Sequence, residues 1–524
     1  MAVTTSSSLW AQVRDYPQAF WFANFMEFVE RWAYYGVRLT LALYIVGATA
    51  LGGLEFTHIQ KGNIYLWWAV IASFLPMFTG GFADRFGYKK TIGAAIVLKL
   101  VGYMLMATQR EYWPFFTGCM LLAAGTGLFK PGVQGLIAHS VTGKNASVGW
   151  GIFYELVNVG AFIAGFTVDP LKAWGGWTAI FAFNTALVAL NFLPLVMFKE
   201  PDVNRPAPYQ HASEVVAEVV RIFVTSIRDI FQPRLLAFIL IFSGFWFSFH
   251  QLFDLLPNFI DDWTTAASTP GLFRSRDGGV DSAQILNLNS GLIMVFMIPV
   301  AWLASRAKPL VAICLGIFAS ILGILLAGTS QLGTAVIAGV AVFTLGEMLS
   351  SPRTKDYMGT IAPPDKRALF MGYGEVPSGL GWAVGSIFAG NFYEHHGDKV
   401  NFARAWLQEQ GGLTAEAVKA IPKEQVMDTL ATQAHLTVPE ATEMLWKLHH
   451  PETIWYWIAG GGVVSLVAMV AYTWAIGAID RKAEMQAVVP GAVPMGDVPP
   501  SMGVVMESEG LVGGEAERDR PAGG

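Results

Sequence analysis

Charge is scarce in this sequence. Asp, Glu, Lys and Arg make up 14% of its 524 residues, while 53% are hydrophobic. An ordinary soluble domain carries roughly 25% charged residues. A water-soluble globule this apolar would have to hide too much surface, so composition points to a chain that crosses a membrane repeatedly. Cysteine is nearly absent. Cys119 and Cys314 stand far apart in apolar runs, which excludes a disulfide framework and any CxxC motif. A nucleotide motor is excluded too. Gly125-x-Gly127-x-x-Lys130 imitates part of a phosphate loop, but no strand precedes it and no Ser or Thr follows the lysine. The pairs His395–His396 and His449–His450 read as solvated residues, so no metal site is expected. The N-terminal stretch lacks the basic start and apolar core of a signal peptide, and insertion is expected to use the first span. The net charge of −5 is small at this length, and no nucleic-acid partner is expected.

Long apolar runs are what the chain does have. A span needs about 20 apolar residues. About twelve are expected, near 18–46, 62–82, 89–108, 113–140, 147–168, 176–198, 234–260, 284–305, 309–329, 333–361, 367–392 and 453–478. Runs this long must be helical, because lipid offers the backbone no hydrogen bonds; the short alternating strands of a closed barrel are absent. Basic residues concentrate in one set of loops, including Lys89, Lys90, Lys144, Lys199, Arg306 and Lys308. The alternate loops hold few, among them Lys61, Arg110 and Lys172. By the positive-inside rule both termini face the cytoplasm. The glycosylation-like Asn145-Ala-Ser147 then lies inside and is set aside.

The expected organisation is an N-terminus over 1–17, a six-helix bundle over 18–198, a linker over 199–233, a second bundle over 234–480 and a disordered tail over 481–524. SEVVAEVVRIFVTSIRDIF in the linker has helical amphipathic spacing and suits the inner membrane surface. The polar stretch 394–452 breaks the second bundle and reads as a helical insert on the outer face, with Thr414 and Thr437 as helix caps.

The anomaly is EFVERWAYYGVR, Glu27 to Arg38, which places four charges inside the first span. Glu27, Arg31, Tyr34 and Arg38 share one helix face at spacings of four, three and four. Each charge at a helix centre costs about 2.5–3.5 kcal/mol, so they must face partners or a watery cavity. Lys130, also in mid-span, is the expected cation partner. A carboxylate beside Arg31 and Lys130 loses that attraction once protonated, which makes a switch: a proton arriving from outside frees Lys130 and lets two bundles rock.

GGFADRFGYKK, between the second and third spans, resembles the signature loop of the major facilitator superfamily through Gly80, Asp84, Arg85, Gly87, Lys89 and Lys90. Glu27-x-x-Glu30-Arg31 with Tyr34-Tyr35-Gly36, GTGLFKPG around Lys130, FYELVNVGAF at 153–162 and GEMLSSP in the tenth span follow in order. Together they look like the motifs of the proton-dependent oligopeptide transporter family. The resemblance covers nearly all twelve spans. It implies an all-α membrane fold of two six-helix bundles, no enzymatic activity, no cofactor beyond a proton gradient, a monomer and a small-molecule or short-peptide cargo. It further implies that Arg38 and Lys130 meet a cargo carboxylate. Tyr34, Tyr35 and Asn158 bond its backbone, Glu347 meets its amino group, and Gln251 belongs to the same substrate-binding set.

The sequence also departs from that family. His250 stands before Gln251, where family members carry an acid; a histidine titrates near neutral pH and could take a coupling proton, alongside Glu27, Glu30, Arg31 and Lys130. Asp254, one turn on, could replace the lost acid as partner of Arg38 and form an outer gate. Charges at Glu155, Arg353, Lys355 and Glu375 suggest an inner gate, with the two glutamates facing the two cations. The expected function is proton-coupled import of di- or tripeptides across the inner membrane. Alternatives are another small zwitterion or organic anion, a proton-exchanging drug exporter, or a receptor that keeps the fold.

Overall fold

A computed structural model describes residues 13–142, 145–200, 211–363, 370 and 372–487. The stretches 1–12 and 488–524, which hold the start of the chain and most of the expected tail, lie outside the described residues, as does Lys144. The side chains of Asp84 and Arg85 lie outside them too.

Helices dominate in the order α1 (Gln18–Arg38), α2 (Leu41–Val46), α3 (His58–Phe86), α4 (Tyr88–Thr108), α5 (Tyr112–Ser140), α6 (Ala146–Leu190) and α7 (Phe192–Met197). They continue as α8 (Ala212–Ile230), α9 (Pro233–Asp254), α10 (Leu256–Trp263), α11 (Ser282–Ser305), α12 (Pro309–Gly328), α13 (Gly333–Ile361) and α14 (Val376–His396). The insert holds α15 (Lys399–Glu409), α16 (Ala415–Lys419), α17 (Val426–Gln433) and α18 (Val438–His449), and α19 (Thr453–Ala487) closes the described chain. The last helix therefore runs seven residues past the expected boundary at 480.

Among the described residues, seven helical segments are long and apolar enough to span a membrane by composition alone. One of them, over α6 and α7, breaks at the non-helical Gly175 and Gly176 and supplies two spans. Helices α1, α3, α5 and α14 are as long, and the first of them carries the buried charges that lower its hydropathy. With these, the helices account for the twelve expected spans, in two six-helix bundles.

In the first bundle α1 packs on α6, α4 on α5 and α3 on α5; in the second α12 packs on α13 and α9 on α19. The bundles meet along α3 with α14 and along α6 with α11. At the first seam the backbones nearly touch. A Cβ on Gly62 would sit 2.5 Å from the Ser386 carbonyl, and one on Gly390 would sit 2.6 Å from the His58 carbonyl. Small residues permit that approach, which dispersion and packing then stabilise.

Two features mark opposite ends of the bundles. Helix α8 exposes Val216, Val220, Phe223, Val224 and Ile227, an apolar stripe at helical spacing; its end is called the linker face below. The insert marks the other. Thr414 accepts from the Ala417 amide and Thr437 from the Glu440 amide, the latter in a reciprocal capping box. Leu407, Val418, Val426, Leu430 and Leu445 fill its own small core. The insert also grips the first bundle. Lys423 Nζ donates to the Val46 carbonyl at 2.8 Å, the His58 amide donates to Glu394 Oε2 at 2.6 Å, and His58 Nε2 lies 2.9 Å from Asp398 Oδ2. A cation at the end of α2 and carboxylates at the start of α3 suit the dipoles of those helices.

Candidate functional site

The charges of α1 turn inward. Glu27 and Glu30 are 1% exposed, Arg31 8% and Arg38 4%. Burial on this scale is tolerable only with partners, and the fold supplies them in two groups.

The first group surrounds Arg31. Its Nε lies 3.2 Å from Glu27 Oε1, and its other arm pairs with Glu30. Its guanidinium also sits 5.1 Å from the centre of the Tyr34 ring. Glu30 pairs again with Lys99 of α4. Lys99 is fully buried, and its ammonium lies 4.8 Å from the centre of the Phe129 ring. Two carboxylates and two cations thus form one buried group, neutral when all are ionised. Glu27 Oε2 has no hydrogen-bond partner among the described residues.

Lys99 corrects the expectation for Lys130. Lys130 is exposed on α5, and no carboxylate among the described residues lies within ion-pair distance of it. The mid-span cation beside Glu30 comes from the third span. Sequence reasoning passed over it because a single lysine in AAIVLKLVGYM belongs to no recognised motif. The available signal was a charge at the centre of a span, the same signal that singled out Glu27.

The second group joins the bundles toward the insert face. Arg38 pairs with Asp254 and donates to the Phe253 carbonyl at 3.4 Å. Trp382 Nε1 and Ser386 Oγ donate to Asp254 Oδ2 at 2.7 and 3.2 Å. Lys61, from α3, donates to the Asp254 carbonyl at 2.9 Å and to Asn258 Oδ1 at 2.5 Å. Lys61 is a further contributor that sequence reasoning placed in a loop; it lies in the first turn of α3 and reaches across to the other bundle.

The remaining expected residues scatter. Tyr34 and Tyr35 are half-buried with rings 5.4 Å apart. Glu347 accepts from Asn289 Nδ2 at 2.8 Å. The Asn158 amide donates back to the Tyr154 carbonyl at 3.0 Å, which ties its nitrogen to its own helix. Gln251 is fully buried and donates to the Phe247 carbonyl at 3.1 Å. His250 stacks on Trp382, with ring centres 4.5 Å apart and planes within 10°, and lies 3.1 Å from Ser378 Oγ. No carboxylate among the described residues pairs with it.

None of the expected inner-gate pairs closes to within 4.0 Å, although Glu375 lies near enough to Lys355 to act on it electrostatically. Arg353 pairs with Asp356 of its own helix at 2.6 Å and with the Ala307 carbonyl. Lys355 reaches the other bundle, but its donor contact is to Tyr154 Oη at 3.2 Å, one residue before Glu155. Glu155 and Glu375 are both exposed. A neighbour three residues along a helix needs no tertiary closure, so Arg353 is satisfied locally first.

This architecture has a known kind. The Major Facilitator Superfamily model matches residues 20–386, and the chain belongs to that family: it is a multi-pass membrane transporter and not an enzyme. Among characterised relatives it resembles the di-/tripeptide transporter of Lactococcus lactis subsp. cremoris, 25% identical over 42% of this chain and 45% of that one. It also resembles the multidrug resistance protein MdtH of Edwardsiella ictaluri, 24% identical over 61% of this chain and 74% of that one. The uncharacterised transporter YclF of Bacillus subtilis is 31% identical over 30% of this chain and 32% of its own length. Two of these three matches therefore span less than half of the relative. Among solved structures the fold superposes on the peptide transporter POT bound to sulfate, with a TM-score of 0.63, 19% identity and coverage of 88% and 95%. It also superposes on the nucleoside transporter NupG, with a TM-score of 0.61, 16% identity and coverage of 87% and 99%.

Proposed function

We propose that the chain is a proton-driven symporter that imports di- or tripeptides across the inner membrane by alternating access. The observation that carries this reading is the buried group Glu27–Arg31–Glu30–Lys99. With all four groups ionised it is neutral, so a proton added to either carboxylate leaves it at +1 and loosens an ion pair at the heart of the first bundle. The free oxygen of Glu27 is where such a proton fits. Lys130, exposed and unpaired with any described carboxylate, is available for a cargo carboxylate. Glu347, held by a neutral amide, is available for a cargo ammonium. Tyr34, Tyr35, Asn158 and Gln251 supply further polar contacts. A cargo that met both Lys130 and Glu347 would carry opposite charges at its two ends, as a zwitterion does.

In this reading the insert face is outside and both termini are cytoplasmic. Arg38–Asp254 with Lys61 is the closed outer gate, and the outer mouth must break it to open. His250, stacked and bonded to a serine, serves as cavity wall. The bundles run 18–198 and 234–487, and the protein works as a monomer with no cofactor. One charge crossing the membrane yields about 2.3 kcal/mol per 100 mV, enough to drive accumulation. The similarity to the L. lactis di-/tripeptide transporter supports the cargo.

The test is labelled dipeptide uptake into proteoliposomes under an inward proton gradient. Accumulation that Glu30→Gln abolishes is expected; no accumulation of any peptide in the presence of a gradient overturns the assignment. The longer match to MdtH favours a second reading, proton exchange for drug-like compounds. Under that reading the same gradient would drive a dye outward and leave peptides where they are.

A further inference from the structure

Lys99 belongs to none of the motifs that drew attention to this chain, yet the fold is cut to receive it. Its stem lies against Gly125 of α5: a Cβ there would come within 2.6 Å of Lys99 Cγ and 3.0 Å of the Ala95 carbonyl. The ammonium is delivered to Glu30 with the Phe129 ring beneath it. A buried ammonium without a partner costs several kcal/mol, so this placement persists only while Glu30 remains an anion. Glu30 forms ion pairs with two cations, Arg31 and Lys99, whereas within 4.0 Å Glu27 meets Arg31 alone and feels Lys99 only at longer range. Oε2 of each glutamate lacks a hydrogen-bond partner among the described residues, but that of Glu30 lies against Arg31.

We propose that Lys99 is a positioning residue that fixes Glu30 as a permanent anion, so that proton exchange falls to Glu27 and Lys130 is left to the cargo. The inference rests on the transport reading for its purpose but not for its test. The groups facing Glu30 all enter the balance. Its own helix presents Glu27, Arg31 and Tyr34. Helix α4 presents Lys99 and Tyr103. Helix α5 presents the uncharged Phe129, followed by the exposed Lys130, which forms no ion pair with a described carboxylate, and α6 meets the Arg31 stem through Gly160. With both glutamates ionised the four charges cancel. One proton on Glu27 Oε2 leaves the group at +1 without breaking the Glu30–Lys99 pair. The same proton on Glu30 would strand Lys99 in a dry slot.

Infrared spectroscopy of the purified protein in lipid nanodiscs, titrated with acid, separates these cases without any cargo. In the wild type, acidification brings in protonated-carboxyl absorption from many of the chain's 39 acidic residues; the component that Glu27→Gln subtracts from it is retained in Glu30→Gln. In Lys99→Met a second component, removed by Glu30→Gln, appears at a pH about one to three units higher than in the wild type, the size of losing an adjacent opposite charge. A Lys99→Met titration identical to the wild type overturns the proposal. So does loss of the Glu27 component in Glu30→Gln. Should Lys99→Met fail to fold, the double variant Lys99→Met/Glu30→Gln, which removes both charges, is expected to restore a cooperative melt; its failure to do so counts against the pairing. Absent flux in liposomes would sink the transport reading and leave these spectra to decide on Lys99.

Discussion

Asp254 gathers donors from both bundles: Arg38 and Trp382 at its carboxylate, Ser386 beside them, Lys61 at its carbonyl. Removing one member of a buried pair leaves an uncompensated charge and costs about 3–5 kcal/mol. Arg38→Ala is therefore expected to lower the melting temperature clearly in detergent. The double variant Arg38→Met/Asp254→Leu should recover much of that loss. At this scale the sequence spoke plainly where charges share a helix face. Glu27, Glu30, Arg31 and Arg38 could be picked out because nothing else explains charges in a span. Which cation reaches Glu30 was not legible: Lys99 and Lys130 are both mid-span lysines, and only the packing of α4 against α5 decides between them. Arg353 misled in the opposite direction, since a partner three residues along its own helix competes with any partner across a gate.

Among the elements, the insert is the most informative. Its helices could be read from their caps, Thr414 and Thr437, because a capping oxygen and a following polar partner are local chemistry. Its docking could not, since Lys423 and Val46 are far apart in sequence. Asp398, the cap of α15, sits in that docking site. Burial alone would push its carboxyl up, but the hydrogen bond from His58 and the charge of Lys423 outweigh it and hold the group below its ordinary 3.8. A depressed carboxyl stabilises the fold above its unfolded value and loses that contribution as pH falls through the folded one. Asp398→Asn is thus expected to melt below the wild type at neutral pH. The gap should close as the medium is acidified below about pH 4. Melting curves across that range check it; a gap that stays constant would mean the carboxylate charge is irrelevant there. For the linker helix, Val220→Asp places a charge in the exposed apolar stripe of α8. It is expected to weaken contact with lipid, read as lost protection of α8 amides in hydrogen exchange in nanodiscs.

For the whole molecule, the twelve spans and their division into two sixes were legible, because lipid forces every long apolar run into the same helical solution. The relation of the two halves was not. It depends on close approaches such as Gly62 on Gly390, where the absence of a side chain is the interaction. Gly62→Leu would drive a branched side chain into the Ser386 carbonyl and hold the seam apart. Spin labels placed on either side of the insert face are expected to report a longer distance in that variant, and transport should fall at least tenfold. Labels that report an unchanged separation would show that the seam does not govern closure at this end.

The grip of Lys423 on Val46 lies in the insert, beyond the ends of the membrane-crossing helices. A knob on one half thus holds the rim of the other at the end of α2. An antibody fragment raised against the loop around Lys423 could wedge it loose or wedge it shut. On the proposed alternating-access reading, it would act as a brake or a release without ever touching what passes through.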